Sequence, residues 1–278
     1  MGTYLRPSTL DEALAALQDG PRLVFAGGTD VYPARVGRPI DEDVLDLSAL
    51  PALRAITVDD GMCRIPALAT WTDLIRADLP ARFDGLKAAA RAVGGVQIQN
   101  RGTIAGNLCN ASPAADGLPN LMALDAQVEL TSASGRRVVP CGQFVVGNRR
   151  TIRRPDELVT AILVPMPAND SRSTFLKLGA RAYLVISIAM VAAAIELGTD
   201  DRIVTARVVV GACSEVPVPV PAVEARLVGR TLAEAPDVTI EAADLAHLTP
   251  IDDVRAPADY RRRAALVLVR RAIAELAR

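Results

Sequence analysis

Two glycine-rich stretches dominate the sequence, Phe25-Ala26-Gly27-Gly28-Thr29-Asp30 and Arg101-Gly102-Thr103-Ile104-Ala105-Gly106-Asn107. The first ends a short apolar run that begins at Leu23, as a tight turn follows a buried strand. Glycines let backbone N–H groups approach a ligand closely, and a neighbouring threonine hydroxyl adds a donor, so each turn can hold a phosphate. Neither stretch has the spacing GxGxxG or GxxxxGK[ST], which excludes the usual Rossmann and P-loop interpretations. Taken alone, either stretch is also what an ordinary turn looks like.

The residues that follow the second stretch suggest the start of a helix. Ser112 is a good N-cap residue and Pro113 is favoured at the first helical position, so we predict a helix that begins here. The positive end of a helix suits a phosphate or a ribose. Asp116 can accept hydrogen bonds from ribose or adenosine hydroxyls, or it is simply an acid at a helix start.

Composition excludes several classes of protein. The chain has 278 residues, of which 50% are hydrophobic and 23% are charged, so it can bury one large core or two smaller ones. The net charge of −1 and an aromatic content of 3% argue against a nucleic-acid-binding protein. His247 is the one histidine, which excludes a His-rich zinc site.

The cysteines and the apolar runs indicate a cytoplasmic protein. Cys63, Cys109, Cys141 and Cys213 form no CxxC pair, so we expect reduced thiols rather than a zinc knuckle or an iron–sulfur site. The first residues lack the apolar segment of a secretory leader. The most apolar run, residues 183–197, is shorter than the ~20 residues of a membrane span.

Periodicity and turn signals divide the chain into three blocks. The first block, about 1–54, contains a helix that starts with the capping box Thr9 to Glu12 and two short strands, a βαβ-like unit. A second block follows up to a linker at residues 165–170, and the last block is predicted to contain a strand pair and a C-terminal helix from about Ala258. The arginines of that helix read as its exposed or partner-facing surface. The predicted features of the second and third blocks are a hairpin turning at 59–61, a helix at 85–93, a strand at 126–130 turning at 132–135, and the strand pair around 198–201.

The order of three motifs resembles the FAD-binding subunit of molybdenum hydroxylases, the xanthine dehydrogenase and carbon monoxide dehydrogenase group. The motifs are residues 26–30, residues 99–107 and residues 110–116. The resemblance covers the whole chain, from Tyr4-Leu5-Arg6-Pro7-Ser8 to Tyr260-Arg261. The ordered set is specific, although each motif separately is not.

The resemblance implies an α+β fold with a PCMH-type FAD-binding domain and a smaller α+β domain of the carbon monoxide dehydrogenase flavoprotein C-terminal type. The FAD-binding domain is expected at residues 1–170, with subdomains at about 1–54 and 55–170. The C-terminal domain is expected at residues 171–278.

The resemblance also implies which residues bind FAD. The two glycine-rich stretches would together hold the pyrophosphate, Asp116 would bind the adenosine end, and Val159 would make an apolar contact to the cofactor. Lys177 would lie at the pyrimidine edge of the flavin, where a cation stabilises the negative charge of the reduced ring. The full set of expected FAD-binding residues is Phe25, Ala26, Gly27, Gly28, Thr29, Asp30, Thr103, Ile104, Ala105, Gly106, Asn107, Asp116, Val159 and Lys177.

Two positions depart from the family pattern. Ala105 stands where the family usually has a glycine, so either the loop is shifted or Ala105 has an ordinary backbone conformation. Related dehydrogenases often carry acidic residues after the equivalent of Arg181, whereas this chain has Ala182-Tyr183. That difference leaves the electron acceptor open, and Tyr183 could instead lie against the flavin ring.

The function implied by the resemblance is electron transfer in a heterotrimer. A large subunit with a molybdopterin cofactor would oxidise the substrate, and a small subunit with two [2Fe–2S] clusters would relay electrons to this chain. Its FAD, expected to be its only cofactor, would pass them to an external acceptor, and two heterotrimers would form a dimer. The alternatives are a PCMH-fold flavoprotein oxidoreductase that works alone and a flavin-free docking scaffold. The substrate stays open.

Overall fold

The first block of the chain forms a small parallel sheet covered by one helix. The computed structural model describes residues 2–278. Its strands are β1 (Tyr4–Leu5), β2 (Leu23–Phe25) and β3 (Val44–Asp46), in the order β1-β3-β2. Helix α1 (Leu10–Gln18) starts with the predicted capping box, in which the backbone N–H of Glu12 donates to the Thr9 hydroxyl at 3.2 Å. The βαβ-like unit is therefore confirmed.

The second block is built on a five-stranded antiparallel sheet with the order β4-β5-β10-β6-β7. The strands of this block are β4 (Thr57–Asp59), β5 (Met62–Pro66), β6 (Gln127–Ser132), β7 (Gly135–Pro140), β8 (Val145–Gly147), β9 (Arg150–Thr151) and β10 (Leu158–Pro165). Its helices are α2 (Trp71–Arg76), α3 (Asp84–Ala92), α4 (Val96–Gln99), α5 (Ile104–Asn110), α6 (Gly117–Ala123) and α7 (Cys141–Phe144). Both predicted hairpin turns and the predicted helix at 85–93 are confirmed.

The last block is a four-stranded antiparallel sheet with the order β11-β12-β13-β14 and two helices. Its elements are β11 (Ser171–Leu178), β12 (Ala189–Leu197), β13 (Ile203–Gly211), β14 (Val218–Pro219), α8 (Pro221–Leu227) and α9 (Ala258–Leu276). The predicted strand pair is β12 and β13, and the predicted C-terminal helix is α9. Short 3₁₀ turns occur at Pro33–Arg35, Leu47–Ala49, Pro51–Leu53, Ala81–Phe83, Ala235–Asp237 and Ala242–Leu245.

Strand β12 lies between two hydrophobic cores and is apolar on both faces. Side chains alternate across a strand, so successive residues of β12 serve different cores. Met190 and Ala192 pack with the second block, whereas Val191 and Ala193 pack with α8 and α9. The sheet of the last block is thereby fixed against the rest of the chain, which holds the residues of β11 at a set position relative to the glycine-rich stretches.

One prediction about the C-terminal helix is wrong. Arg261 was expected on an exposed surface, but its side chain is 1% exposed and forms an ion pair with Asp253 at 2.6 Å. Its guanidinium also donates to the carbonyl of Ile188 at 2.7 Å. Arg262, Arg263, Arg270 and Arg271 are exposed as predicted. No helix within residues 2–278 is long and apolar enough to cross a membrane.

Candidate functional site

A cleft of about 800 Å³ lies where the three blocks meet. This volume is within the usual range for sites that take a small molecule or a cofactor. Twelve of the fourteen residues expected to bind FAD line it: Ala26, Gly27, Gly28, Thr29, Asp30, Thr103, Ala105, Gly106, Asn107, Asp116, Val159 and Lys177. Phe25 and Ile104 do not line it, and both side chains are buried.

The two glycine-rich stretches touch each other at one side of the cleft. A Cβ at Gly27 would overlap the carbonyl oxygen of Arg101 and lie 2.7 Å from its carbon. A Cβ at Gly102 would lie 3.2 Å from the Thr29 hydroxyl oxygen. Gly27 is therefore required by the close approach of the two backbones.

Gly28 is required for a different reason. Its φ of +73° lies in the left-handed region that favours glycine. A Cβ there would lie 2.6 Å from a ring carbon of Phe25, whose ring packs edge-on against Tyr32 with centroids 5.6 Å apart. Phe25 thus shapes the turn from behind and does not face the cleft.

The first turn presents a row of free backbone donors. Within residues 2–278, none of the backbone N–H groups of Gly27, Gly28, Thr29 and Asp30 donates a hydrogen bond to another protein group. Successive free N–H groups in a turn form a concavity that suits an anion such as a phosphate. The predicted chemistry of this turn matches its geometry.

The sequence predicts a turn at the second stretch, and this prediction is wrong, because the stretch contains the start of helix α5. Thr103 is the N-cap, and its hydroxyl accepts a hydrogen bond from the Gly106 N–H at 2.9 Å. Ala105 is the second residue of α5 and is 4% exposed. Its regular helical conformation explains why this position tolerates alanine in place of glycine.

The helix predicted to start at Ser112-Pro113 starts later, at Gly117. Ala111 ends α5 in a left-handed conformation with φ 47°. Residues 112–115 then form a turn closed by a bond from the Ala115 N–H to the Ser112 carbonyl at 2.9 Å. The Pro113 carbonyl accepts from the N–H of Ala212 at 3.1 Å, a contact from the last block that no local signal could predict.

Asp116 and Lys177 form an ion pair in the cleft. The Lys177 ammonium lies 2.6 Å from one carboxylate oxygen of Asp116, and the Ser187 hydroxyl donates to the other at 2.6 Å. Burial raises the pKa of Asp116, while Lys177 and Ser187 act in the opposite direction. Because adenosine and flavin are the two ends of FAD, one ion pair cannot serve both unless the cofactor folds back on itself. The assignment of Asp116 to the adenosine end and Lys177 to the flavin end therefore requires a folded cofactor, and it stays a prediction.

Sequence reasoning missed other residues of the cleft. Val185 and Ile186 line the cleft, as do Arg149 and Arg153 from the segment around β9. Ser187 lies behind the cleft lining and donates to Asp116, and in the sequence it is only a polar interruption of the apolar run 183–197. Tyr183 does not line the cleft and is 77% exposed.

Comparison with known families identifies the chain. Residues 1–167 match the family described as "FAD binding domain in molybdopterin dehydrogenase". The chain belongs to this family. The rest of this FAD subunit matches a second family, "CO dehydrogenase flavoprotein C-terminal domain", over residues 174–276. The resemblance inferred from the sequence and the α+β fold class are both confirmed.

Relatives of this FAD subunit are oxidoreductase subunits. The glyceraldehyde dehydrogenase medium chain of Sulfolobus acidocaldarius is 32% identical over 99% of this chain and 98% of its own length. The nicotinate dehydrogenase FAD-subunit of Eubacterium barkeri is 36% identical over 197 residues, which are 66% of this chain and 65% of that subunit. In that case the match spans less than two thirds of the relative.

Solved structures agree with the sequence comparisons. A chain of reconstituted CO dehydrogenase from Oligotropha carboxidovorans superposes with a TM-score of 0.90 and 28% identity, covering 100% of this chain and 98% of that one. This FAD subunit is thus an oxidoreductase component with FAD as its cofactor. Its cleft fits that cofactor, because the free N–H groups at Gly27–Asp30 suit a pyrophosphate and the cleft has the volume for a large ligand.

Proposed function

We propose that this chain is the FAD-binding electron-transfer subunit of a heterotrimeric molybdopterin hydroxylase. It would accept electrons from two [2Fe–2S] clusters of a small subunit, and its FAD would pass them to an external acceptor. Substrate oxidation would belong to a large molybdopterin-binding subunit. The observation that carries the proposal is the cleft in which both glycine-rich stretches meet Lys177 from the last block.

The backbone of the first turn would hold the pyrophosphate of FAD. The N–H groups of Gly27, Gly28, Thr29 and Asp30 are free to donate, and Gly27 and Gly28 add no side chain of their own. The hydroxyl of Thr103 already accepts from Gly106, which leaves its own hydrogen free to donate to a phosphate oxygen. These groups are fixed before the ligand arrives, so binding costs little ordering entropy.

Lys177 would serve the flavin end. FAD supplies the redox chemistry when bound, and the protein adjusts it through nearby charge. The Lys177 side chain is 12% exposed, so water screens its positive charge only weakly. Asp116 at 2.6 Å offsets part of that charge, and the ammonium dipole and remaining charge would stabilise the negative charge of the reduced ring. We place Asp116 at the same end as the counter-ion of Lys177. Val159, 5% exposed on β10, would provide an apolar contact elsewhere in the cleft.

The assembly and its setting complete the proposal. We propose a dimer of heterotrimers in the cytoplasm, with an FAD-binding domain at residues 1–170 and a C-terminal domain at 171–278. Support for partners comes from the names of the relatives, which are medium chains or FAD subunits of larger enzymes. The substrate is left to the large subunit.

Gentle affinity purification of the chain from its native host tests the proposal. We expect two partner chains, with FAD, iron and molybdenum in a ratio of roughly 1:4:1, because two [2Fe–2S] clusters hold four irons. FAD on a lone chain that oxidises a substrate would replace the proposal with a flavoprotein that works alone. A colourless chain that still binds partners would indicate a docking scaffold.

A further inference from the structure

Ser187 joins the last block of the chain to the cofactor cleft. Its side chain is fully buried and donates a hydrogen bond of 2.6 Å to Asp116, the partner of Lys177. Ser187 lies at the end of the loop that connects β11 to β12. Its position therefore determines where the second oxygen of the Asp116 carboxylate is held.

Two arginines hold the peptide group at Ser187 and Ile188 from behind. Arg255 donates to the Ser187 carbonyl at 3.3 Å, and the buried Arg261 donates to the Ile188 carbonyl at 2.7 Å. Asp253 accepts from both arginines, at 3.0 Å from Arg255 Nε and at 2.6 Å from Arg261. We call Asp253, Arg255 and Arg261 the arginine clamp.

The loop between β11 and β12 is closed without the arginine clamp. The N–H of Ile188 already pairs with the Leu178 carbonyl at 2.8 Å, which closes the loop at the start of β12. The clamp adds two charged donors to the neighbouring carbonyls, and charge-assisted hydrogen bonds fix geometry more strongly than neutral ones. The extra bonds act on the backbone of Ser187 and Ile188, and the side chain of Ser187 is the group that bonds Asp116.

We propose that Ser187, held by the arginine clamp, is a positioning residue for the Asp116–Lys177 ion pair, so that the C-terminal block controls the affinity for FAD and its reduction potential. The inference rests on the proposed function, in which Lys177 faces the flavin. Without the Ser187 hydroxyl the Asp116 carboxylate keeps one partner and can rotate. The Lys177 ammonium then follows its counter-ion away from the flavin, and the positive field there weakens.

The test uses the full chain loaded with FAD and measures two quantities, the Kd for FAD by fluorescence titration and the midpoint potential by dye equilibration at saturating FAD. The variants are Ser187→Ala, Arg255→Ala, their combination, and Lys177→Met. Arg255 is chosen over the fully buried Arg261, whose loss is expected to prevent folding. Arg262→Ala and Ser132→Ala are the controls.

The controls match the variants in chemistry but lie away from the cleft. Arg262 also bonds one aspartate and one backbone carbonyl, Asp259 and Leu248, at 3.4 Å each. Ser132 is a buried serine whose hydroxyl pairs with Ser134. Thermal unfolding of every variant separates loss of folding from loss of positioning.

We expect Ser187→Ala and Arg255→Ala each to raise the Kd for FAD about ten-fold, the effect of one lost charge-assisted bond. The combination should be closer to ten-fold than to a hundred-fold, because both residues act through the same group. Each variant should lower the midpoint potential, in the direction of Lys177→Met but by less. The controls should match the wild type.

The outcomes separate the inference from the proposed function. If Lys177→Met lowers the potential while Ser187→Ala and Arg255→Ala behave like the controls, the inference is wrong and the proposed function stands. A higher Kd with an unchanged potential reduces the clamp to a structural role and also overturns the inference. If Lys177→Met changes neither quantity, Lys177 does not face the flavin, and the proposed placement of the cofactor fails together with the inference.

Discussion

Replacing Gly27 with alanine should separate the two glycine-rich stretches and empty the cleft of FAD. The new Cβ would lie 2.7 Å from the carbonyl carbon of Arg101 and 3.0 Å from the Cα of Gly102. Carbon atoms in van der Waals contact are about 3.5–4.0 Å apart. The two backbones would therefore have to move apart by about 1 Å.

The backbone at Gly102, on the other side of this contact, is held by hydrogen bonds, so its displacement costs free energy. The Gly102 N–H donates to the Ile98 carbonyl at 2.6 Å, and the Gly102 carbonyl accepts from the N–H of Trp71 at 3.1 Å. Overpacking against such a fixed backbone costs about 1–3 kcal/mol. The same displacement moves the free N–H groups at Gly27 and Gly28 away from a bound phosphate. Loss of one or two bonds to a charged group corresponds to a Kd for FAD that is roughly 10- to 100-fold higher.

The assay compares Gly27→Ala with Gly142→Ala, a matched change in helix α7. A Cβ at Gly142 would meet only the methyl carbon of Met122, at 3.4 Å, an ordinary contact. We would measure the flavin-to-protein absorbance ratio as purified, the Kd for FAD and the melting temperature. Wild-type occupancy and Kd in Gly27→Ala would refute the reasoning, because the pyrophosphate would then have to lie elsewhere.

Three further predictions test the site and its surroundings. Ala105→Gly should destabilise the chain by about 1 kcal/mol in thermal unfolding, the helix-propensity difference, without improving FAD binding; a lower Kd would mean that the helical start of α5 is not the bound conformation. Asp116→Ala should leave Lys177 uncompensated, destabilise the fold by about 3 kcal/mol in urea unfolding and lower FAD occupancy; unchanged occupancy would remove Asp116 from the site. Hydrogen bonds from Arg137 hold the pKa of the buried Glu157 below its usual value in the folded protein. The stabilisation of the fold by the Glu157 carboxylate is therefore fully present above the unfolded pKa of about 4.3, and it is lost as the pH falls through the lower pKa of the folded state. Glu157→Gln should therefore lose less stability than the wild type between about pH 5 and pH 3, and parallel curves would show that the pair does not respond to acid in this way.

Sequence signals predicted the helices and hairpin turns well, because the interactions that form these elements involve neighbouring residues. The capping box at Thr9 and the turn at residues 59–61 each involve a few adjacent residues, and both formed as expected. The meeting of the two glycine-rich stretches is not a local property, and it entered the prediction only through the resemblance to a family. The structure gives it a physical basis in the backbone contact between Gly27 and Arg101.

The contacts that sequence analysis did not predict join charged groups and carbonyls that are distant in the sequence. Lys177 and Asp116 are 61 residues apart, and Arg261 reaches the Ile188 carbonyl across 73 residues. A helical pattern with interspersed arginines looks the same whether one arginine is buried or all are exposed. Composition and periodicity cannot reveal such a partner, so the burial of Arg261 and the role of Ser187 had to await the structure.

Under the proposed function, the last block takes part in cofactor binding, because the residues around the cleft come from three segments of the chain. Free N–H groups come from the first block, the helix start at Thr103 from the second, and Lys177 from the last, which also supplies the buried Ser187 that bonds Asp116. A chain that ended at residue 170 would lack Lys177, the cation that pairs with Asp116 in the cleft. It would also expose the part of the hydrophobic core of the first two blocks against which Met190 of β12 packs. Binding of FAD and docking of the last block should therefore stabilise each other, since a ligand that contacts both favours the state in which they are packed together.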